Sequence, residues 1–196
     1  INRVLSLVTD NSIWDDAVRQ VYAPQLDTTW LYNTWGAGFK INNLYDGTFV
    51  LDENYRVIWG SFHSSSFNDH NLDFFGEGLE ALISQNEDAL RRGSNVFAGI
   101  TQTRAGIAFV GIGLIRPMVG RLQVYDATRR YLVITRQINP GLLNNLGNTF
   151  QIEKLTLGTA PQNQYNIPVR TTGGKVVGWL DWQLRQPGAE AASAAS

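Results

Sequence analysis

Apolar positions at the start of the chain repeat with the period of an α-helix. Across residues 1–22 they lie three, four and seven positions apart, which predicts one amphipathic helix over this segment. A second, short helix is predicted from Asp27, a suitable N-cap, to Trp35, with Gly36 and Gly38 ending it. The apolar stripe of the first helix consists of Val4, Leu7, Val8, Trp14, Val18 and Val21.

Strand patterns follow these helices. The segments Tyr45–Leu51 and Tyr55–Ser61 flank polar turn residues at 52–54, which predicts a β-hairpin. Helical spacing returns from Phe74 to Arg92, and Gly93 is suited to a left-handed C-cap. The remaining strands, interrupted by one short helix (Pro140–Asn148), are Asn95–Gln102, Gly106–Ile115, Tyr131–Ile138, Ile152–Leu157, Tyr165–Thr171 and Lys175–Leu184.

Short connections between these strands predict antiparallel pairing. The pair Gly173-Gly174, between the last two strands, is a hairpin signal of this kind. Helices must cover the apolar faces of the resulting sheet, because those faces are otherwise exposed to water. The predicted fold class is therefore α+β, with a long N-terminal helix. The domain is predicted to span residues 1–185, and residues 186–196, which lack an apolar stripe, are predicted to be a linker.

Composition narrows the class of protein. With 196 residues, 43% of them apolar, the chain is expected to form one soluble globular domain. It contains no cysteine, which excludes thiolate chemistry and disulfides and is compatible with an oxidising compartment. Its longest apolar run is far shorter than the roughly 20 residues of a membrane-spanning helix. A net charge of −1 gives no general attraction for nucleic acid, so we expect no nucleic-acid partner.

Charge is unevenly distributed along the chain. Residues 1–98 carry a net charge of −7 and residues 99–196 a net charge of +6. Six arginines lie between Arg104 and Arg136 against a single acid, Asp126. A cationic surface of this kind is a possible anion site, since guanidinium groups bind carboxylate and phosphate. The alternative is that these arginines pair with acids of the first half of the chain.

A catalytic interpretation depends on the histidines His63 and His70, which lie in a polar stretch between the hairpin and the mid-chain helix. Together with Ser64–Ser66 and either Asp69 or Asp73 they offer the residue types of a hydrolase triad or a metal cluster. Loops of this composition are usually solvent-facing turns, so we expect no catalytic residue and no metal site. The glycines of Gly111-Ile112-Gly113 lack phosphate-loop spacing and are interpreted as strand glycines.

One motif resembles a known family. The segment Asn11–Val18 contains Trp-Asp-Asp, followed by Trp30 and Asn33 on the second helix and by the hairpin Val50–Gly60. In this order the elements resemble CHASE domains of the fourth class, the cyclase/histidine-kinase-associated sensory extracellular domains. The resemblance extends over roughly residues 1–185.

This resemblance implies a PAS-like or Cache-like fold and a sensory function. It implies a periplasmic, non-catalytic domain of an inner-membrane receptor, held between two transmembrane helices. The cytoplasmic output would be a diguanylate cyclase, a cyclic-di-GMP phosphodiesterase, both, or a histidine kinase. No cofactor is implied. A secreted hydrolase using His63 and His70, and a ligand-free protein-interaction module, are the alternatives left open.

We expect an unidentified small molecule to bind on the concave face of the sheet and to shift the first helix relative to the last strand. Asn11 and Asp15 lie on one face of the predicted first helix. The domain is also expected to form a homodimer through this helix. The residues expected to contact the ligand are Asp15, Arg104 and Arg116 as polar groups, and Trp14, Trp59 and Tyr131 as walls.

Overall fold

A computed structural model describes residues 1–120, 123 and 126–184 of the chain. The predicted linker, residues 186–196, lies outside the described residues. The helices are α1 (Asn2–Ser12), α2 (Asp15–Val21), α3 (Thr28–Leu31), α4 (Gly38–Asn42), α5 (Glu77–Arg92) and α6 (Pro140–Phe150), with a π-helix at Tyr32–Gly36 and a 3₁₀ turn at Asp126–Thr128. The strands are β1 (Gly47–Leu51), β2 (Val57–Phe62), β3 (Ser65–Ser66), β4 (Phe97–Thr103), β5 (Gly106–Leu114), β6 (Tyr131–Gln137), β7 (Glu153–Gly158), β8 (Asn166–Arg170) and β9 (Val176–Gln183).

These elements form two compact units. The first comprises Ile1–Gln137 and Thr171–Gly174, and the second comprises Ile138–Arg170 and the described residues from Lys175 onward. A six-stranded sheet in the order β3-β2-β1-β6-β5-β4 lies in the first unit. The second unit contains a three-stranded sheet in the order β7-β9-β8, with α6 against β7. The strands of both sheets pair antiparallel, so the predicted α+β class with a PAS-like antiparallel sheet is confirmed.

Local signals account for several element ends. The Asp27 side chain accepts the Trp30 N–H, as predicted for an N-cap. In the hairpin turn, Asp52 Oδ1 accepts the N–H groups of Asn54 and Arg56, each at 2.9 Å. Helix α5 ends at Gly93 in the left-handed conformation, with φ 65° and ψ 27°. The turn chemistry read from the sequence is therefore confirmed at these positions.

Helix α5 covers one face of the six-stranded sheet. Alternate residues of β5 and β6, from Val110 to Leu114 and from Tyr131 to Val133, point toward this helix and are almost fully buried. Phe49 of β1 fills the centre, with edge-to-face contacts to Phe67 and Phe75 at 4.9 and 4.7 Å between ring centres. This layer forms one of the two cores of the first unit.

Helix α1 covers the opposite face and lies close to the strand backbone. A Cβ at Gly111 would lie 2.7 Å from Val4 and 2.8 Å from Val8, and one at Gly113 would lie 3.1 Å from the Ser12 hydroxyl. Larger residues at these two positions would therefore push the helix off the sheet. The interpretation of both as strand glycines is confirmed.

The glycines after Trp35 do not end the second helical segment. The chain continues through the π-helix into α4. A Cβ at Gly36 would lie 2.7 Å from the Tyr32 ring, and one at Gly38 would lie 2.1 Å from the Tyr45 hydroxyl. The prediction that Gly36 and Gly38 stop the helix is wrong, because both are required for close packing rather than for termination.

Candidate functional site

The first helix breaks where it meets the end of β5. Ile13 leaves the helix and forms a parallel bridge with Arg116. The Trp14 N–H donates to the Arg116 carbonyl at 3.1 Å, and the Arg116 N–H donates to the Ser12 carbonyl at 2.9 Å. These groups are therefore not available to the hydrogen-bond ladder of a continuous helix. The prediction of one unbroken helix over residues 1–22 is wrong at this point.

Asp15 holds the segment after β5 against the start of α2. Its exposed side chain accepts the Met118 N–H at 3.0 Å through Oδ1. Asp15 and Asp16 occupy the first turn of α2, where negative charge is favoured by the helix dipole. Because the break separates Asn11 from Asp15, the prediction that they share one helix face is wrong.

Three tryptophans pack in a row beside the break. The ring centres of Trp14 and Trp30 are 5.4 Å apart, and those of Trp30 and Trp35 are also 5.4 Å apart. Trp35 is fully buried, and its indole N–H donates to Asn11 Oδ1 at 3.1 Å. The last turn of α1 is thus tied to the π-helix by a buried indole and an amide.

A small cavity of about 140 Å³ lies beside the same break. Arg116 contributes its half-buried side chain, and Thr9 and Ile13 bring the end of α1 to the cavity. Sequence reasoning missed Ser94 and Asn95, whose one available signal was their position directly after the Gly93 C-cap. The lining consists of Thr9, Ile13, Gly93, Ser94, Asn95, Val96, Leu114 and Arg116.

The six arginines from Arg104 to Arg136 differ in their partners. Three pair with acids from the first half of the chain, as the alternative interpretation of the charge pattern expected. Arg121 lies outside the described residues, and Arg129 donates from Nε to the Arg91 carbonyl. Arg116 makes no ion pair with any residue that the structure describes. The three pairs are Arg104 with Asp69 at 2.8 Å, Arg130 with Glu53 at 2.9 Å and Arg136 with Asp46 at 3.8 Å.

The six residues expected to contact a ligand do not form one pocket. Trp14, Asp15 and Arg116 meet at the helix break. Trp59 is half-buried in the core on the α1 face and lies opposite Val50 of β1.

Tyr131 and Arg104 lie elsewhere in the first unit. Tyr131 is 1% exposed and belongs to the core on the α5 face, where burial raises its pKa and the nearby Tyr55 raises it further. Arg104 is exposed in the turn between β4 and β5, paired with Asp69. Ligand contact by Trp59, Arg104 and Tyr131 stays a prediction, as it does for the three residues at the break.

The residues of the hydrolase alternative have separate partners. His63 Nε2 lies 2.9 Å from Asp46 Oδ1, whereas His70 Nδ1 lies 3.0 Å from the Val57 carbonyl. The Ser64 hydroxyl accepts the Lys40 N–H rather than facing an imidazole. This arrangement does not contain the nucleophile–base–acid chain that a triad requires.

A larger cavity, of about 670 Å³, lies within the second unit. Helix α6 forms one side and β7 the other. The sequence did not indicate this cavity, because the residues of α6 and β7 that line it show no motif beyond the usual helix and strand patterns. The polar lining comprises Asn144, Asn148, Glu153, Lys154 and Thr156, and the apolar lining includes Ile138, Pro140, Leu143, Ile152, Leu155 and Leu157.

Two further observations concern the described residues alone. Over residues 1–120, 123 and 126–184, no group of three or more His, Cys, Asp or Glu side chains is placed to hold a metal ion. Within the same part of the chain, every helix is too short or too polar to span a bilayer.

Comparison with known proteins places the chain in a family. A model of the CHASE4 domain matches residues 1–157, which include the helix break, the six-stranded sheet and the cavity beside Arg116. The chain belongs to the CHASE4 family. The resemblance drawn from the Trp-Asp-Asp segment is thereby confirmed. The CHASE4 domain described here is an extracytoplasmic sensory domain of a signalling receptor.

The chain is also similar to two solved structures. Two crystal structures of the periplasmic domain of LuxQ from Vibrio cholerae are 14% and 13% identical to the CHASE4 chain, with TM-scores of 0.47 and 0.41. Each alignment covers 94% of this chain and 90% of the LuxQ chain. No curated protein matches the chain.

Proposed function

We propose that this CHASE4 domain binds a small molecule in the periplasm and reports it through α1 to a cytoplasmic output domain. The observation that carries the proposal is the cavity beside the helix break. Its lining joins Arg116 to Thr9 and Ile13, so a molecule bound there contacts the end of α1 directly. A ligand shifts a conformational equilibrium only by binding one state better than the other, and contact with the moving element supplies such a difference.

The signal passes to the membrane along α1. In the parent receptor the domain lies between two transmembrane helices of the inner membrane, and α1 transmits the signal to the first of them. The output is a diguanylate cyclase, a cyclic-di-GMP phosphodiesterase, both, or a histidine kinase. A change in the pairing between Ile13 and Arg116 alters the direction in which α1 leaves the sheet.

A thermal-shift screen of the 196-residue chain tests small-molecule binding. The panel contains amino acids, organic acids, polyamines, nucleobases, sugars and divalent metals. A ligand present at 100 times its Kd adds about 2.7 kcal/mol to the free energy of unfolding. For a chain of this length such a gain raises Tm by about 5 to 10 °C. No shift across the panel would contradict ligand sensing and favour the protein-interaction module.

Transmission is tested in the full-length receptor by measuring output activity with and without the ligand found in the screen. The substitution Asp15→Ala removes the acceptor of the Met118 N–H and is expected to change the output at saturating ligand. Asp15→Asn keeps an oxygen acceptor at the same position and serves as the matched control. Identical output from both variants and the natural receptor would exclude the break from transmission.

A homodimer through α1 is also proposed. The apolar stripe of α1 is not available for it, since Val4 and Val8 are buried on the sheet. The dimer face is therefore the exposed polar side of the helix, with Arg3, Ser6 and Asp10. Sedimentation of the full-length receptor in detergent tests this, and a monomer at high micromolar concentration would contradict it.

A further inference from the structure

We propose that the cavity beside the helix break is a binding site for a small carboxylate, held by the guanidinium of Arg116; this inference rests on the proposed sensor function and gives its ligand class. Arg116 is half-buried, and no described carboxylate lies within ion-pair distance of it. The Arg116 nitrogens that have no partner among the described residues are accessible rather than buried, so a carboxylate can reach them and pair with the charge.

The donors of Arg116 are largely unused. An arginine side chain carries five N–H donors in a planar fork that matches a carboxylate. In the structure one of them reaches a described acceptor, the Pro117 carbonyl, at 3.4 Å. At least one pair of parallel donors therefore remains for a bidentate contact.

The cavity accommodates the arginine and supplies further polar groups. A Cβ at Gly93 would lie 2.9 Å from Arg116 Cδ, so the missing side chain makes room for the arginine stem. Ser94 and Asn95 line the same cavity, and neither side chain hydrogen-bonds to another described residue. A hydroxyl and an amide beside the guanidinium suit a ligand with more than one oxygen.

Volume restricts the ligand to a small one. Liquid water occupies about 30 Å³ per molecule. The cavity of about 140 Å³ therefore holds the equivalent of about five waters. A carboxylate of two or three carbons fits this space, whereas a nucleotide does not.

The test is titration of the 196-residue chain with sodium acetate, propionate and pyruvate, followed by calorimetry and thermal shift. Sodium chloride at the same ionic strength controls for general salt effects, and sodium phosphate separates carboxylates from other oxyanions. We expect at least one carboxylate to bind and the two control salts to have no comparable effect. A response equal to that of chloride, or binding of phosphate alone, would overturn the assignment.

Variants locate the site. Arg116→Gln is expected to weaken carboxylate binding at least about 30-fold, since it removes one partner of a charge pair. The matched control is Arg19→Gln, whose arginine is exposed and paired with Asp16. Should Arg116→Gln fail to fold, Asn95→Asp places a negative charge in the cavity from an exposed position and is expected to abolish binding. Carboxylate binding that survives Asn95→Asp and Arg116→Gln alike would place the site elsewhere.

The two proposals fail separately. A ligand of another class that binds independently of Arg116 would leave the sensor function standing and remove the carboxylate site. Carboxylate binding that depends on Arg116 but leaves the output of the full-length receptor unchanged would support the site and contradict the sensor function.

Discussion

Asp46 provides a sharp test of how the first unit is held together. Its side chain lies at the start of β1 and is only 2% exposed. Oδ2 accepts the Gln137 N–H at 2.7 Å, and Oδ1 lies 2.9 Å from Nε2 of His63. The Arg136 guanidinium lies 3.8 Å from Oδ2. The substitution Asp46→Ala therefore leaves the buried Gln137 N–H without its acceptor.

The expected loss follows from these contacts. A hydrogen bond to a charged group contributes about 1.5–3 kcal/mol, and a buried donor left unpaired retains its full desolvation cost. The contact with His63 adds at most about 1 kcal/mol, because the imidazole is 47% exposed and can turn to water. We therefore expect Asp46→Ala to lower the free energy of unfolding by about 2–4 kcal/mol. Asp46→Asn keeps one carbonyl oxygen for the Gln137 N–H and should lose about half as much.

The assay is urea unfolding at neutral pH, followed by tryptophan fluorescence and by circular dichroism on the same samples. The control is His63→Ala, which removes only the more exposed partner of Asp46 and should cost less than about 1 kcal/mol. A loss below about 1 kcal/mol for Asp46→Ala would refute the reasoning. So would an Asp46→Asn variant as unstable as the alanine variant.

Three further predictions concern other contacts. Burial raises the pKa of Tyr22 to about 12, so folding favours the neutral hydroxyl. The resulting stabilisation is complete below pH 10 and declines as the pH rises toward 12. Tyr22→Phe should flatten this part of a curve of stability against pH, and an unchanged slope would contradict the prediction. Gly93→Ala should destabilise the chain more than Gly174→Ala. Both glycines have positive φ, but only a Cβ at Gly93 would meet neighbouring atoms, at 2.9 Å. Equal losses of stability in chemical denaturation would show that crowding at Gly93 has no effect. A double-mutant cycle of Asn11→Ala and Trp35→Phe should give a coupling of about 0.5–1.5 kcal/mol, whereas additive losses would show that their hydrogen bond contributes nothing.

Local patterns predicted most elements and several of their ends. The hairpin around Asp52, the cap at Asp27 and the C-cap at Gly93 depend on neighbouring residues in the chain, so the sequence contains the information needed to place them. The break at Ile13 does not depend on its neighbours in this way. The apolar spacing continues through Trp14 to Val18, and the helix is interrupted only because the distant Arg116 backbone pairs with this point.

The sequence predicted some residues of the candidate site, but it did not predict which of them lie close together in the fold. Arg116, Trp14 and Asp15 were singled out from the sequence, and the structure brings them together at the break. Tyr131 was predicted as an aromatic wall of the site in the same way as Trp14, but it faces the core beneath α5. Strand alternation, and not residue type, decides which face of the sheet a side chain occupies. Ser94 and Asn95 carried no signal beyond their place after a helix C-cap.

The strength of the contacts at the break is suited to a sensor. Two backbone hydrogen bonds join Arg116 to Ser12 and Trp14, and a third joins Asp15 to Met118. At about 0.5–1.5 kcal/mol net for each bond, the three bonds together contribute about 1.5–4.5 kcal/mol. Coupling between a ligand site and a conformational change is typically about 1–3 kcal/mol, so a ligand bound beside Arg116 can shift this pairing. An uninterrupted helix would instead require several ladder hydrogen bonds to break together, so the interruption lies where a ligand in the proposed site beside Arg116 would act on α1.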